Sequence, residues 1–256
     1  MDFICFSQNE IVILHHDLDS LSHYFTRNRM KSEIYTLFLL TLFAVSCSEQ
    51  QYFVKGTSTQ QLPDGEYAYM RPMNPNQQEF IDSCRVVHGK FEMTGPLDSV
   101  QCVMISMGSF GIPMVLETGE VHISMQSSNI RVSGTPLNDA FYAFLDRRDS
   151  LMLVENDLLL RANDLLNRGY SDDYINKEIG YELIQTVSVL DSIQCDFVKS
   201  NYTNVLGVSW FLQMCREASE QCGYFVLPPS LEKVYDEAPP VFKSNVDIQN
   251  YLKLCK

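Results

Sequence analysis

Apolar and polar positions alternate with a period of two in the first half of the chain and recur every three to four residues in the second, changing over at Gly134. In Lys90 to Gly95, Phe91 and Met93 alternate with Lys90, Glu92 and Thr94. In Glu120 to Gln126, Val121, Ile123 and Met125 alternate with His122, Ser124 and Gln126. Each pattern predicts a half-buried strand. Val100 to Met107 is apolar on both faces and predicts a central strand. Turn-forming residues recur at short intervals: Pro63-Asp64-Gly65, Asn74-Pro75-Asn76, His88-Gly89-Lys90, Asp98-Ser99 and Thr118-Gly119-Glu120. Six to eight short antiparallel strands over Tyr52 to Gly134 predict a β-sandwich.

Beyond Gly134 the pattern is helical. Thr135-Pro136 predicts a helix start, with a capping hydroxyl and proline at the first helical position. Leu137, Phe141, Phe144, Leu145, Met152 and Leu159 then form an expected buried stripe up to a stop at Gly169. Ser171 caps an expected second helix, with Asp172 and Asp173 at its positive end and Ile175, Ile179, Leu183, Val187 and Leu190 on its inner face. The two form an antiparallel pair turning at Arg168-Gly169-Tyr170. A third helix is expected over Val205 to Cys222, stopped by Gly223. A short one is bracketed by Pro228-Pro229 and Pro239-Pro240, and a last one runs over Val246 to Leu254. The fold class is therefore α+β, with a sandwich domain over 52–134 and a helical domain over 135–256. No internal repeat stands out.

One segment breaks this scheme. Met30 to Cys47 (MKSEIYTLFLLTLFAVSC) has a basic start at Lys31, an uncharged and mostly apolar run from Ile34 to Val45, and Ser46-Cys47 at its end. That order predicts a secretory signal. The run is shorter than the roughly 20 apolar residues a bilayer span needs. A cysteine directly after the small residue resembles the lipobox of bacterial lipoproteins. The expectation is a signal peptide over 30–46, acylation of Cys47 as the mature N-terminus, and a polar tether over 47–51. Met30 then reads as the true start and residues 1–29 as upstream over-annotation. Cys5, His15, His16 and His23 fall in that stretch and receive no chemical role.

The chain carries 19 basic and 32 acidic residues, a net charge of −13. Such a balance argues against nucleic acid and anionic headgroup surfaces as partners, since both need cationic contacts. Cys84, Cys102, Cys195, Cys215, Cys222 and Cys255 follow Cys47. An exported chain is free to oxidise them, but no CxxC pair occurs. Cys215 and Cys222 would lie about 10 Å apart on one helix, beyond the roughly 7 Å that disulfide geometry allows. They read as small buried hydrophobes.

The strand region also resembles a family. Phe80 to Ser99 (FIDSCRVVHGKFEMTGPLDS), then IPMVLETGEVHISM and IRVSGTPLND, is similar to a domain of unknown function from envelope lipoproteins of Bacteroidota. The shared order is a DS pair, a short strand, GKF, a strand ending in glycine, and later SGT-x-x-ND leading into helices. In this chain the last element is Ser133-Gly134-Thr135 with Asn138-Asp139. The resemblance covers roughly Tyr52 to Phe144. It implies a helical linker and a thioredoxin-like domain downstream, yet the only tryptophan, Trp210, is followed by Phe211-Leu212-Gln213 and not by a Trp-Cys-x-x-Cys site. Thiol–disulfide activity is therefore not carried over.

No GxGxxG, P-loop, HExxH, GxSxG or EF-hand spacing is present. Gly108-Ser109-Phe110-Gly111 reads as a loop, His88 as a turn residue and His122 as part of a polar strand face. Arg147-Arg148-Asp149 reads as a solvated helix face. Tyr67, Tyr69, Tyr142, Tyr170 and Tyr174 read as packing or as the lining of a binding surface. The expectation is a non-enzymatic, membrane-anchored envelope lipoprotein without cofactor or metal, binding an unidentified protein or small molecule. An accessory of a thioredoxin-like system is the alternative, and a hydrolase with an unrecognised site the second.

Overall fold

The computed structural model describes residues 50–59, 65–73, 79–108, 110–126 and 129–255, all within the unit Gln50–Lys256. The expected signal and Cys47 lie outside the described residues, as do Pro63-Asp64, Asn74-Pro75-Asn76 and Ser109. The chain is α+β: two mostly antiparallel four-stranded sheets precede a helical C-terminal region.

The strands are β1 (Gln51–Ser58), β2 (Tyr67–Pro72), β3 (Asp82–Arg85), β4 (Lys90–Pro96), β5 (Gln101–Met107), β6 (Phe110–Leu116), β7 (Gly119–Gln126) and β8 (Asn129–Ser133). One sheet has the order β4-β1-β7-β8 and the other β3-β2-β5-β6. Every pairing is antiparallel except β1 with β7, which is parallel. Parallel neighbours cannot be joined by a hairpin. Here the chain crosses to the second sheet and returns before β7 is laid down.

Alternation works as expected on the first sheet. In β1, Tyr52, Val54 and Gly56 are buried while Gln51, Phe53, Lys55 and Thr57 face outward. Gly56 is required by its cross-strand partner: a Cβ there would stand 2.0 Å from the Phe91 ring. His88 and Gly89 both take positive φ (50° and 70°), as a tight two-residue hairpin between β3 and β4 demands. Strand β5 lies between β2 and β6 and buries Val103, Ile105 and Met107. Its alternate residues Cys102 and Met104 are half-buried because a helix covers that face.

The helices are α1 (Pro136–Asn167), α2 (Asp172–Ile175), α3 (Tyr181–Ser200), α4 (Val205–Cys222), α5 (Pro229–Glu237), α6 (Pro240–Lys243) and α7 (Val246–Leu254). A wide π turn, Asn176–Gly180, joins α2 to α3, so the expected second helix is not one regular segment. Ser171 caps α2 as expected, its hydroxyl accepting the Tyr174 amide. Asn204 does the same for the Leu206 amide in α4, and Gly223 ends that helix with φ 77°. Buried side chains from both sheets and from the helices form one apolar cluster that runs from Val54 and Ile105 through Phe141 and Phe211 to Ile248.

Two expected stripes slip by a residue in part: α1 past Arg148, and α3 at Val187 alone, since Ile179, Leu183 and Leu190 stay on the inner side. Leu158 is buried on α1 where Met152 and Leu159 were expected inside, and both of those are exposed. On α3, Thr186 is buried and Val187 is exposed. The Thr186 hydroxyl donates to the Glu182 carbonyl at 2.9 Å, which lets a polar residue occupy an inner position.

Candidate binding cleft

The cleft depends on how α1 is fastened to the sheets. Val115 sits on β6, the outer strand of its sheet, and its backbone groups on the free side would otherwise be unpaired. Asn138, fully buried in the first turn of α1, supplies the partner. Its Oδ1 accepts the Val115 amide at 2.8 Å and its Nδ2 donates to the Val115 carbonyl at 2.8 Å. One side chain thus takes the place of one residue of a further strand. The same Nδ2 donates to Thr135 Oγ1 at 2.8 Å, so the Thr135 hydroxyl accepts from a side chain and does not cap the helix as expected.

The capping role falls to Glu117. Its buried carboxylate accepts the amides of Leu137 at 2.9 Å and Asn138 at 3.2 Å, at the positive end of α1. Asp139 accepts the Gly134 amide at 3.1 Å, and Gly134 itself has φ 102° with the Glu120 carbonyl where a Cβ would go. One turn on, the Tyr142 hydroxyl donates to the Pro113 carbonyl at 3.0 Å. Burial pushes that phenol above its ordinary range, so it stays a donor. The SGT-x-x-ND motif is therefore a joint between sheet and helix.

With α1 fixed, Phe141, Tyr142, Leu145 and Arg148 face α4 across β5 and β6. They enclose a cleft of about 450 Å³. Its apolar lining includes Met104, Met114, Ile130, Leu206 and Trp210, and its polar lining includes Asp146, Arg148, Asp149, Gln213 and Glu217. This size and mixture fall within the range of small-molecule sites.

Trp210 is the centre of an aromatic group. Phe144 meets it edge-on at 4.8 Å, and Phe144 in turn stacks on Phe197 at 3.9 Å. The Arg148 guanidinium lies 5.1 Å from the Trp210 ring centre and is paired with Asp149 at 2.8 Å. Arg148 is thus not the solvated residue its neighbours suggested. Trp210 Nε1 is buried and, among the described residues, is the one buried side-chain polar atom without a hydrogen-bond partner. Nothing in the sequence marked Trp210 as a site residue except that it is unique. Sequence reasoning placed Asn138 in the SGT-x-x-ND motif without a role and missed Glu117, because the spacing of a buried polar residue does not reveal which backbone it will meet.

Five of the six described thiols sit in surroundings that oppose reactivity, and Cys222 is exposed. Burial pushes Cys102, beside the cleft, up to about 11, and Cys215 up to about 12. Cys84, Cys195 and Cys255 are raised for the same reason. All six described cysteines are free. His122 stands on the outer face of β7, 3.6 Å from Glu120, which is held by Lys55 at 2.8 Å. That face has a shallow hollow of about 320 Å³ lined by Lys55, Lys90, His122 and Arg131. Tyr67 stacks on Tyr69, and Tyr69 meets Phe80 at a tilt, as an exposed aromatic group; Tyr170 stacks on Tyr174. Among the described residues there is no group of three potential metal ligands, and no helix long and apolar enough to cross a membrane.

Comparison with known proteins places the joint and the sheets together. No curated protein matches the chain. Residues 52–141, from the start of β1 to the turn of α1 that carries Asn138 and Phe141, match the model of a family described as Domain of unknown function (DUF4369).

Proposed function

We propose that this chain is a lipid-anchored protein of the cell envelope, carried there by a signal peptide over 30–46 and held by acylated Cys47, and that its folded part is a non-catalytic binding module. In this reading the two sheets form a sandwich, and α1 with α3 forms an antiparallel hairpin rising from it. The match over 52–141 supports the resemblance to a domain of unknown function. The envelope lipoproteins of Bacteroidota are what that resemblance implies.

The observation that carries the binding reading is the cleft. Its wall of Trp210, Phe141 and methionines suits an apolar group, and the carboxylates of Asp146, Asp149 and Glu217 at its rim suit a ligand end that donates hydrogen bonds. Burial of Cys102 and Cys215 speaks against thiol chemistry at these two positions and leaves the alternative, a docking accessory of a thioredoxin-like system, to the same binding test.

Two measurements test the two halves. Radioactive fatty acid should label the full chain and leave Cys47→Ala unlabelled; a labelled Cys47→Ala that still fractionates with membranes overturns the anchor. Trp210 is the only tryptophan, so its emission reports directly on the cleft. Envelope extract fractions should contain one that shifts this emission in the wild type and not in Ser209→Phe, which fills the cleft. Fractions that leave the emission unchanged, or that shift both chains alike, overturn the cleft.

A further inference from the structure

Within helix α1 lies a short seven-residue pattern, confined to one element and so no repeat of the fold, that the packing leaves half used. Leu151–Asp157 reads LMLVEND, Leu158–Asp164 reads LLLRAND, and Leu165–Asn167 begins a third copy with LLN. The first position of each unit, Leu151, Leu158 and Leu165, is buried or half-buried, and α1 packs against α3. The second position, Met152, Leu159 and Leu166, is exposed by 45%, 43% and 54%. On α3, Ile184 and Val187, each one residue past an inner position, are exposed by 70% and 42%. A residue one step past the inner face is turned by about 100°. The connection between the helices, 168–171, is short, so they run antiparallel, and that turn brings both exposed rows to the same side of the pair.

We propose that this side of the helical pair binds the same side of a second copy of the chain, forming a four-helix arrangement with two helices from each copy. Three observations select this occupant. The exposed row repeats every seven residues like the inner row beside it, and that period is the one by which helices interlock with other helices. The row is also symmetric about its middle residue. A two-fold axis through Leu159 sets Met152 opposite Leu166, Glu155 opposite Asn163 and Asn156 opposite Ala162 of the second copy, so the Asn163 amide is placed to donate to the Glu155 carboxylate across the seam. In a chain of net charge −13, the approach of two copies is opposed wherever carboxylates face each other; Glu155, the carboxylate beside this row, faces Asn163 of the second copy and not another carboxylate.

The area agrees. Met152, Leu159, Leu166, Ile184 and Val187 expose roughly 450 Å² in one copy, so pairing two copies removes roughly 900 Å² from these residues alone. With Asn156, Asn163 and Glu155 on the flanks the total reaches the lower edge of stable interfaces, about 1,200 Å². Leu153 and Leu160, the third position of each unit, point to the far side of α1 and take no part.

Sedimentation velocity on the full chain in detergent, with the acyl-acceptor variant Cys47→Ala run in parallel, tests the proposal. Both should sediment as dimers at tens of micromolar protein. Leu159→Glu with Leu166→Glu should raise the dissociation constant at least tenfold, whereas Leu153→Glu with Leu160→Glu should not. Circular dichroism checks that each variant is folded. Independently, Leu159→Cys sits on the axis and should cross-link to itself under mild oxidation well above the wild-type background, and Leu153→Cys should not. A monomeric wild type, equal effects of the two glutamate pairs, or cross-linking of both cysteine variants alike overturns the proposal.

Discussion

Replacing Asn138 by leucine should be among the most costly single changes in the protein, although the two side chains are nearly the same size. The exchange creates no cavity, so the transfer term for the side chain itself is small and favours the variant. What it removes is the partner of three polar groups. Val115 is fully buried, so its amide and carbonyl on the free side of β6 lose their bonds to Oδ1 and Nδ2, both 2.8 Å, with no water to replace them. Thr135 Oγ1 loses the third, but its hydroxyl can rotate toward another acceptor. Each buried backbone group left unsatisfied costs about 1–3 kcal/mol. Two such groups give a loss of roughly 3–5 kcal/mol, a large part of the 5–15 kcal/mol typical of a domain. Equilibrium urea unfolding followed by Trp210 fluorescence measures this directly, because Trp210 lies on the cleft that the joint shapes. Asp139→Asn, one residue on and exposed, is the control and should change stability by less than about 0.5 kcal/mol. A midpoint for Asn138→Leu that implies a loss under about 1 kcal/mol would refute the claim that this side chain closes the edge of β6.

Gly56→Ala should also destabilise strongly, because its methyl group would stand 2.0 Å from the Phe91 ring and neither the strand pairing nor the core behind Phe91 leaves room to retreat; overpacking of this kind costs about 1–3 kcal/mol, read as a lowered unfolding midpoint, and Phe91→Leu in the same chain should restore part of it. Stability should fall as pH rises above about 9. Cys102 and Cys215 are raised in the folded state, to about 11 and about 12, from an ordinary thiol value near 9. The folded form therefore holds more protons than the unfolded form between these limits; the stabilisation is complete below about pH 9 and is lost as pH climbs toward 12. Each tenfold difference in proton affinity between the two forms corresponds to about 1.4 kcal/mol, so the combined loss is several kcal/mol. Urea midpoints at pH 8, 9.5 and 11 should decline, with a shallower slope in Cys215→Ala whatever its level at pH 8; an equal slope would show that the thiol does not titrate as its burial requires.

Legibility followed the length of the pattern. The strands β4 and β7 were readable because each buries one face against a common core, and a period of two then has a single solution for which side chains point inward. The parallel contact of β1 with β7 was not readable, since pairing between distant segments leaves no mark in either one. Thr135 was assigned the capping role by its type and place, and the fold gives that role to Glu117, eighteen residues earlier, because the helix start is pressed against the end of β6. The hydroxyl of Thr135 was the nearest acceptor in the sequence; the carboxylate was the nearest in space. Trp210 and Arg148 belong to helices whose stripes were readable, but a cleft exists only where two elements meet, and no single stripe encodes the meeting.

The phase error on α1 is the instructive case. A stripe drawn through Phe141, Phe144, Leu145, Met152 and Leu159 is a good helical stripe, and its first half is buried as drawn. Past Arg148 the apolar residues arrive in runs, Leu151 to Val154 and Leu158 to Leu160, so at least three parallel rows satisfy the same periodicity. A single helix neighbour can bury only one of them, and α3 buries the row of Leu158. Sequence periodicity alone had no means to choose among rows. The surplus itself carries information, however: a helix apolar over most of its circumference is stable in water only when more than one side is covered. The first half of α1 meets that condition through the sheets and α4. Among the described residues its second half meets it on one side only, which is why the row of Met152, Leu159 and Leu166 calls for a partner.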